Sequence, residues 1–186
     1  MIEQCPAPLG FGKISWGRVV PQNFMSRMYQ MAGNFNWDFD HVSWLMGCIA
    51  WESGETFSPS IKNAAGSGAT GLIQFMPATA RDLGTTTAAL AAMTAVQQLD
   101  YVEKYFRPYR NRVHTLSDMY MAILLPKYVG QPEDSVLFSG GTTAYRQNAG
   151  LDVNNDGKIT KAEAAQKVYA KWQKGLTPER AILAPT

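Results

Sequence analysis

The chain has 186 residues, 46% hydrophobic and 17% charged, with a formal net charge of +2. This is enough apolar material for one buried core, and the length fits a single domain over 1–186. The near-neutral balance without a basic run excludes nucleic acid as a partner class, and no apolar stretch approaches the roughly 20 residues of a membrane span, so no membrane insertion is expected.

Residues 1–18 contain proline and glycine without a hydrophobic period, which predicts an extended leader packed on the domain. Its start, "MIEQCPAPLG", has neither the basic nor the apolar region of a signal peptide, so synthesis in a cytoplasm without an export signal is expected. Cys5 lies in this leader, whereas Cys48 falls in an apolar helical pattern and reads as a small buried hydrophobe. There is no Cys-x-x-Cys, and His41 and His114 are far apart with no ligand pattern around them. Neither a disulfide nor a zinc site is expected.

A helix is predicted over 21–33, with Phe24, Met28 and Met31 on one side, and "GNFN" then breaks the chain. Asp38 or Asn36 can cap the next helix. Its apolar positions Val42, Leu45, Met46 and Ile49 follow helical spacing, and the same stripe extended by three residues reaches Glu52. Gly54 marks the helix end. A carboxylate is thus expected in a last helical turn, in line with a buried face. Burial disfavours its charge, and so does the negative end of the helix dipole. Both raise its pKa, as a proton donor at neutral pH requires.

Residues 55–75 read as loop, with a small irregular or β-hairpin element over Gly66–Phe75. Gly66, Gly68 and Gly71 permit unusual backbone angles there, and Gln74 stands out as a polar residue between Ile73 and Phe75. Pro77 opens a helix that runs to Leu83 and stops at Gly84. One long helix is predicted over 87–107, with Leu90, Met93, Val96, Leu99, Val102 and Phe106 as its apolar side and Pro108 as its stop. A helix over Ser117–Leu125, a loop over 130–141 and a last helix from about Lys161, with Ala164, Ala165, Val168 and Trp172, follow. Pro178 can open one more short turn. The fold class is mainly α.

Ahead of the last helix, "DVNNDGKITKAE" (152–163) matches an EF-hand loop. Asp152, Asn154, Asp156, Thr160 and Glu163 supply oxygen-bearing side chains, Lys158 supplies its carbonyl, and Gly157 makes the sharp turn. The entering segment is short, so a single hand holding a structural Ca²⁺ is expected. The alternative is a metal-free turn that caps the helix.

The string "AWESGETFSPSIKNAAGSGATGLIQFMPATARDLG" is similar to the lytic transglycosylase and goose-type lysozyme superfamily. The family signature is a Glu-Ser pair, then Gly-Leu-x-Gln, then Met-Pro-x-Thr-Ala. Here these are Glu52-Ser53, Gly71-Leu72-Ile73-Gln74 and Met76-Pro77-Ala78-Thr79-Ala80, within a match over 42–84. The resemblance implies an α+β lysozyme-like fold and a sugar cleft lined by Gly71, Leu72, Ile73 and Gln74. It implies that Glu52 is the general acid and then the general base, that Ser53 belongs to the motif, and that Asn63 and Ser67 help to orient Glu52 or an N-acetyl group. The substrate it implies is peptidoglycan, cut at the β-1,4 bond between N-acetylmuramic acid and N-acetylglucosamine. The family commonly works without a second carboxylate: the substrate's N-acetyl group assists, and its 6-hydroxyl closes a 1,6-anhydro ring. Water attack would instead make the enzyme a muramidase. Glu55 is the candidate partner in a two-carboxylate scheme, with a solvated loop acid as the alternative.

The family also carries a later Ala-x-Tyr-Asn segment, which "DMYMAILLPKYVG" does not reproduce. Tyr120, Tyr128 and Tyr145 are the candidates for its tyrosine. The variant looks like that of phage-encoded relatives. This implies an endolysin released through a holin, or a tail-associated enzyme with virion proteins as partners, acting on the cell wall in the periplasm. Rival readings are a catalytically inactive lysozyme-like part of a tail or secretion machine, and an enzyme acting on chitin. Some lytic transglycosylases carry a comparable calcium loop, and no organic cofactor is implied.

Overall fold

The computed structural model describes residues 12–185. Expectations for residues 1–11, Cys5 among them, lie outside the described residues. The elements run β1 (Lys13–Ile14), α1 (Gln22–Phe35), α2 (Phe39–Glu52), α3 (Pro77–Asp82), α4 (Thr87–Ala92), α5 (Ala95–Phe106), α6 (Leu116–Leu124), β2 (Val136–Ser139), α7 (Thr143–Asn148), β3 (Lys158–Thr160), α8 (Lys161–Gly175) and β4 (Ile182–Leu183). The protein is therefore mainly α, with two small two-stranded sheets among the described residues. None of these helices is long and apolar enough to cross a membrane.

Helix α2 is the centre. Asp38 caps it by accepting the His41 N–H at 3.1 Å, one of the two caps expected. Val42, Leu45, Met46 and Ile49 are all buried, each contributing about 1.5–3 kcal/mol by leaving water. Ser43, Gly47 and Ala50 are buried too, so α2 is covered on several sides rather than along one stripe. Gly47 lets α8 come close: a Cβ there would lie 2.8 Å from Trp172 Cβ. One turn earlier on the same face of α2, Ser43 Oγ accepts the Trp172 Nε1 hydrogen at 2.8 Å. Cys48 is a buried thiol, as expected.

Three expectations need correction. The predicted break at "GNFN" comes later, since α1 continues through Gly33 to Phe35 and ends at Asn36 with φ 55°. The single helix over 87–107 is two helices, α4 and α5. Met93 is extended, and Thr94 starts α5 afresh with a capping box to Gln97. Two extra orphan backbone donors are thereby satisfied, which offsets the interruption. The predicted loop over 130–141 contains β2, which pairs antiparallel with β3 (Phe138 opposite Ile159). A strand this short has too few residues to show a period.

The described part of the leader is only partly extended. β1 pairs with β4, Lys13 opposite Leu183 and Ile14 opposite Ile182. Trp16 then turns with φ 62° and is 2% exposed. Its Nε1 donates to the Lys171 carbonyl at 3.0 Å, fixing the turn on α8. The element over Gly66–Phe75 is irregular, held by isolated bridges from Thr70 to Lys62 and to Phe75.

Candidate active site

Glu52 is the last residue of α2. The chain after it closes a Schellman motif: Glu55 N–H donates to the Ala50 carbonyl at 2.7 Å and Gly54 N–H to the Trp51 carbonyl at 3.3 Å. Gly54 has φ +60°, the left-handed angle this motif needs. Ser53 is fully buried, and its Oγ accepts the Phe57 N–H at 3.0 Å. Ser53, a candidate substrate contact through the Glu-Ser motif, instead builds the turn behind Glu52.

Burial drives the Glu52 carboxyl up to about 7. Two tyrosines lie within range of its charge. Tyr120 of α6 is 4% exposed and stands beside Trp51 and Glu52. Tyr105 of α5 donates its hydroxyl to the Ala122 carbonyl at 2.6 Å. Burial pushes both phenols up first, and the Glu52 charge adds to this, so both are neutral hydrogen-bond donors at pH 7. Tyr105 was missed by the sequence reading. The signal was the pair Tyr101 and Tyr105, one helical turn apart in the predicted helix.

The other tyrosine candidates are elsewhere. Tyr128 Oη donates to the Val136 carbonyl at 2.8 Å. Tyr145 Oη donates to Asp152 Oδ2 at 2.6 Å, which moves it from the expected sugar site to the C-terminal loop.

The Gly71–Gln74 turn adjoins this wall through Phe75, whose ring meets Tyr105 edge-on at 6.2 Å. Within the turn, the side chains of Leu72 and Ile73 are buried and enter the core, so neither lines a cleft with its side chain. Gly71, with φ +86°, is small for a different reason than sugar access: a Cβ would strike the Gln98 side chain. Gln98 is fully buried and organises the loop. Its Oε1 accepts the Leu72 N–H at 2.7 Å, and its Nε2 donates to the carbonyls of Pro59 and Leu90 at 3.0 and 2.9 Å. Gln74 is partly exposed, with φ +53°. Its Nε2 donates to the carbonyls of Gly71 and Ile61 at 3.0 and 3.3 Å. Asn63 and Ser67 are exposed and serve local turns, accepting the N–H groups of Ala65 and Ala69 at 2.8 and 3.3 Å.

Glu55 does not face Glu52 as a free acid. Lys171 and Lys174 of α8 both pair with its carboxylate, Lys174 at 2.7 and 2.8 Å. These hydrogen bonds hold Glu55 below the usual carboxylate range. Tyr105 also lines a separate groove of about 400 Å³ with Tyr109, Lys104, Asp82 and Ile123, a lining that does not include Glu52, Tyr120 or Gln74. His41 is fully engaged, with its ring nitrogens on Asp38 and the Val113 carbonyl at 2.6 and 3.0 Å, so it is no ligand.

The second motif folds as a tight loop between α7 and α8. Asn155 and Gly157 adopt left-handed angles, φ 58° and 81°. Gly157 N–H donates to Asp152 Oδ2 at 3.0 Å, and the N–H groups of Asp156 and Lys158 donate to Asn154 Oδ1 and Asp156 Oδ1 at 2.9 and 2.8 Å. Glu163 accepts the N–H and the hydroxyl of Thr160 at 2.9 and 2.8 Å, a capping box that starts α8. Compared with known proteins, the chain matches no family model, no curated protein and no solved structure.

Proposed function

We propose that the protein is a peptidoglycan-cleaving enzyme of lysozyme-like fold, acting on the β-1,4 bond between N-acetylmuramic acid and N-acetylglucosamine. The observation that carries this reading is Glu52 itself. It is a carboxyl at a helix end, raised to about 7 by burial, and its charge reaches two neutral phenols, Tyr105 and Tyr120. Such an acid is close to half protonated at neutral pH and can serve both halves of a proton-transfer cycle. Glu52 gives its proton to the glycosidic oxygen as the bond to C1 breaks, and the substrate's N-acetyl oxygen closes onto C1. The Glu52 carboxylate then takes the proton of the 6-hydroxyl as that oxygen displaces the N-acetyl oxygen, leaving a 1,6-anhydro end. The pairing of Glu55 with two lysines favours this route, because the candidate second carboxylate is already engaged. Gln74 uses its amide nitrogen within its own turn, which leaves its amide oxygen as the acceptor for a sugar N–H or hydroxyl. Release through a holin, or carriage on a virion, brings the enzyme to the cell wall.

The test is digestion of purified peptidoglycan by the protein and by Glu52→Gln, with the products weighed. Glu52-dependent products one water lighter, with anhydro ends, support a lytic transglycosylase. Glu52-dependent products with ordinary reducing muramic acid make it a muramidase with the same acid. No product from either protein leaves the inactive structural component as the reading to pursue.

A further inference from the structure

Two carboxylate oxygens in the C-terminal third are buried without a hydrogen-bond partner, Asp152 Oδ1 and Glu163 Oε1. Their residues are 7% and 9% exposed and stand at the two ends of one loop. A buried carboxylate oxygen with no partner is costly, and a cation held between the two would supply the missing interaction. The companion oxygens are already used and so aim the free ones. Asp152 Oδ2 accepts from Gly157 N–H and Tyr145 Oη, at 3.0 and 2.6 Å. Glu163 Oε2 accepts from Thr160. The available donors are all oxygens, from carboxylates, an amide and backbone carbonyls, which suits Ca²⁺ rather than a thiophilic metal. Among the described residues no group of three or more His, Cys, Asp or Glu side chains converges. The ion would thus rest on two free carboxylate oxygens plus neutral donors, a low-charge set that binds weakly.

The exit of the loop is fastened to the wall that carries Tyr120. Lys161 is 1% exposed, and its Nζ donates to Asp118 Oδ1 of α6 at 2.6 Å and to the Gln131 carbonyl at 2.7 Å. The backbone N–H groups of Lys161 and Ala162 donate to the Ser135 and Glu133 carbonyls, both at 2.9 Å. Asp118 precedes Tyr120 by two residues in α6, and α8 packs along both α2 and α6. The strand of the hand, β3, pairs with β2 rather than with a second hand, so only one site is built.

We propose that the Asp152–Glu163 loop binds one Ca²⁺, and that the ion braces the α6 wall beside Glu52 through the Lys161–Asp118 pair. Binding and bracing stand on this geometry alone. Only their consequence for sugar cleavage rests on the proposed role of Glu52.

Titration of the chelator-stripped chain with CaCl₂ in a calorimeter should give one site with Kd on the order of 10⁻⁵ M, and MgCl₂ should give no comparable heat. Glu163→Gln, which keeps the capping box, should bind at least about tenfold more weakly. Amide exchange over Leu116–Leu124 should slow by at least about tenfold when Ca²⁺ is added to the unmodified chain. In the double variant Lys161→Met with Asp118→Asn, which removes the buried charges together and leaves an amide oxygen for the backbone N–H groups that Asp118 now accepts from His114 and Gly130, Ca²⁺ should still bind but no longer slow α6. Absence of binding overturns the site. Binding with protection confined to the loop and the first turn of α8 overturns the brace, and this comparison on the unmodified chain needs no variant. A digest without Glu52-dependent products would overturn the enzymatic reading and leave both calcium measurements unaffected.

Discussion

The backbone N–H of Leu72 donates to the side chain of Gln98 at 2.7 Å, across 26 positions of sequence. The same amide serves Pro59 and Leu90, so one buried side chain satisfies three backbone groups from separate segments. Gln98→Leu keeps the volume and orphans all three. The expected loss is about 3 kcal/mol, which for a domain of this size lowers Tm by about 6–12 °C. Thermal melting measures it. A drop below about 2 °C would mean that water or a rearranged loop replaces the amide.

Glu52 has a stability signature separate from catalysis. Its folded-state pKa of about 7 lies above the ordinary 4.5, so the unfolded chain releases this proton first. Stability therefore falls as pH rises from about 4.5 to about 7, by an amount on the order of 3 kcal/mol. Glu52→Gln removes that loss. The variant should melt above the parent at pH 8 and with it near pH 4, while cleaving no substrate. An unchanged difference across this range would contradict the buried carboxyl.

The pH–rate profile follows from the same group. Cleavage that needs protonated Glu52 should decline as pH rises through about 7, and Tyr120→Phe should lower the rate by between about 10- and 100-fold. Tyr105→Phe should instead cost about 1 kcal/mol of stability, through the lost bond to the Ala122 carbonyl. Rates across pH and chemical denaturation of the two variants separate these roles. Equal activity of Tyr120→Phe and the parent would remove that phenol from the site.

Glu55→Gln tests the number of carboxylates. Its ion pairs with Lys171 and Lys174 are partly exposed, so their loss should cost no more than about 1 kcal/mol. The product distribution should be unchanged. Loss of cleavage with retained fold would assign Glu55 a chemical part and favour a two-carboxylate scheme.

How much of this was legible in the sequence depends on the range of the interaction. The stripe from Val42 to Ile49, the Asp38 cap and the Gly54 stop are local, and they placed Glu52 at the end of a buried helix. The split at Met93 is also local, since Thr94-x-x-Gln97 is a capping-box pattern, but the apolar period runs on through it and predicts one helix. The role of Gly71 was hidden, because its partner Gln98 reaches it only in the folded chain. The same holds for Tyr145, a plausible sugar contact by residue type that instead donates to Asp152. The resemblance supplied candidates around Glu52, and the packing separates those that build the turn, Ser53 and Leu72, from Tyr120, whose phenol feels the Glu52 charge; Tyr105, which also feels it, was not among them.

The pairing of β1 with β4 has a consequence for engineering. Ala184 N–H donates to the Gly12 carbonyl at 2.7 Å, so the two strands enter and leave the domain side by side. Gly12 and Ala184 are therefore close enough for a linker of a few residues to bridge them in a circular permutant.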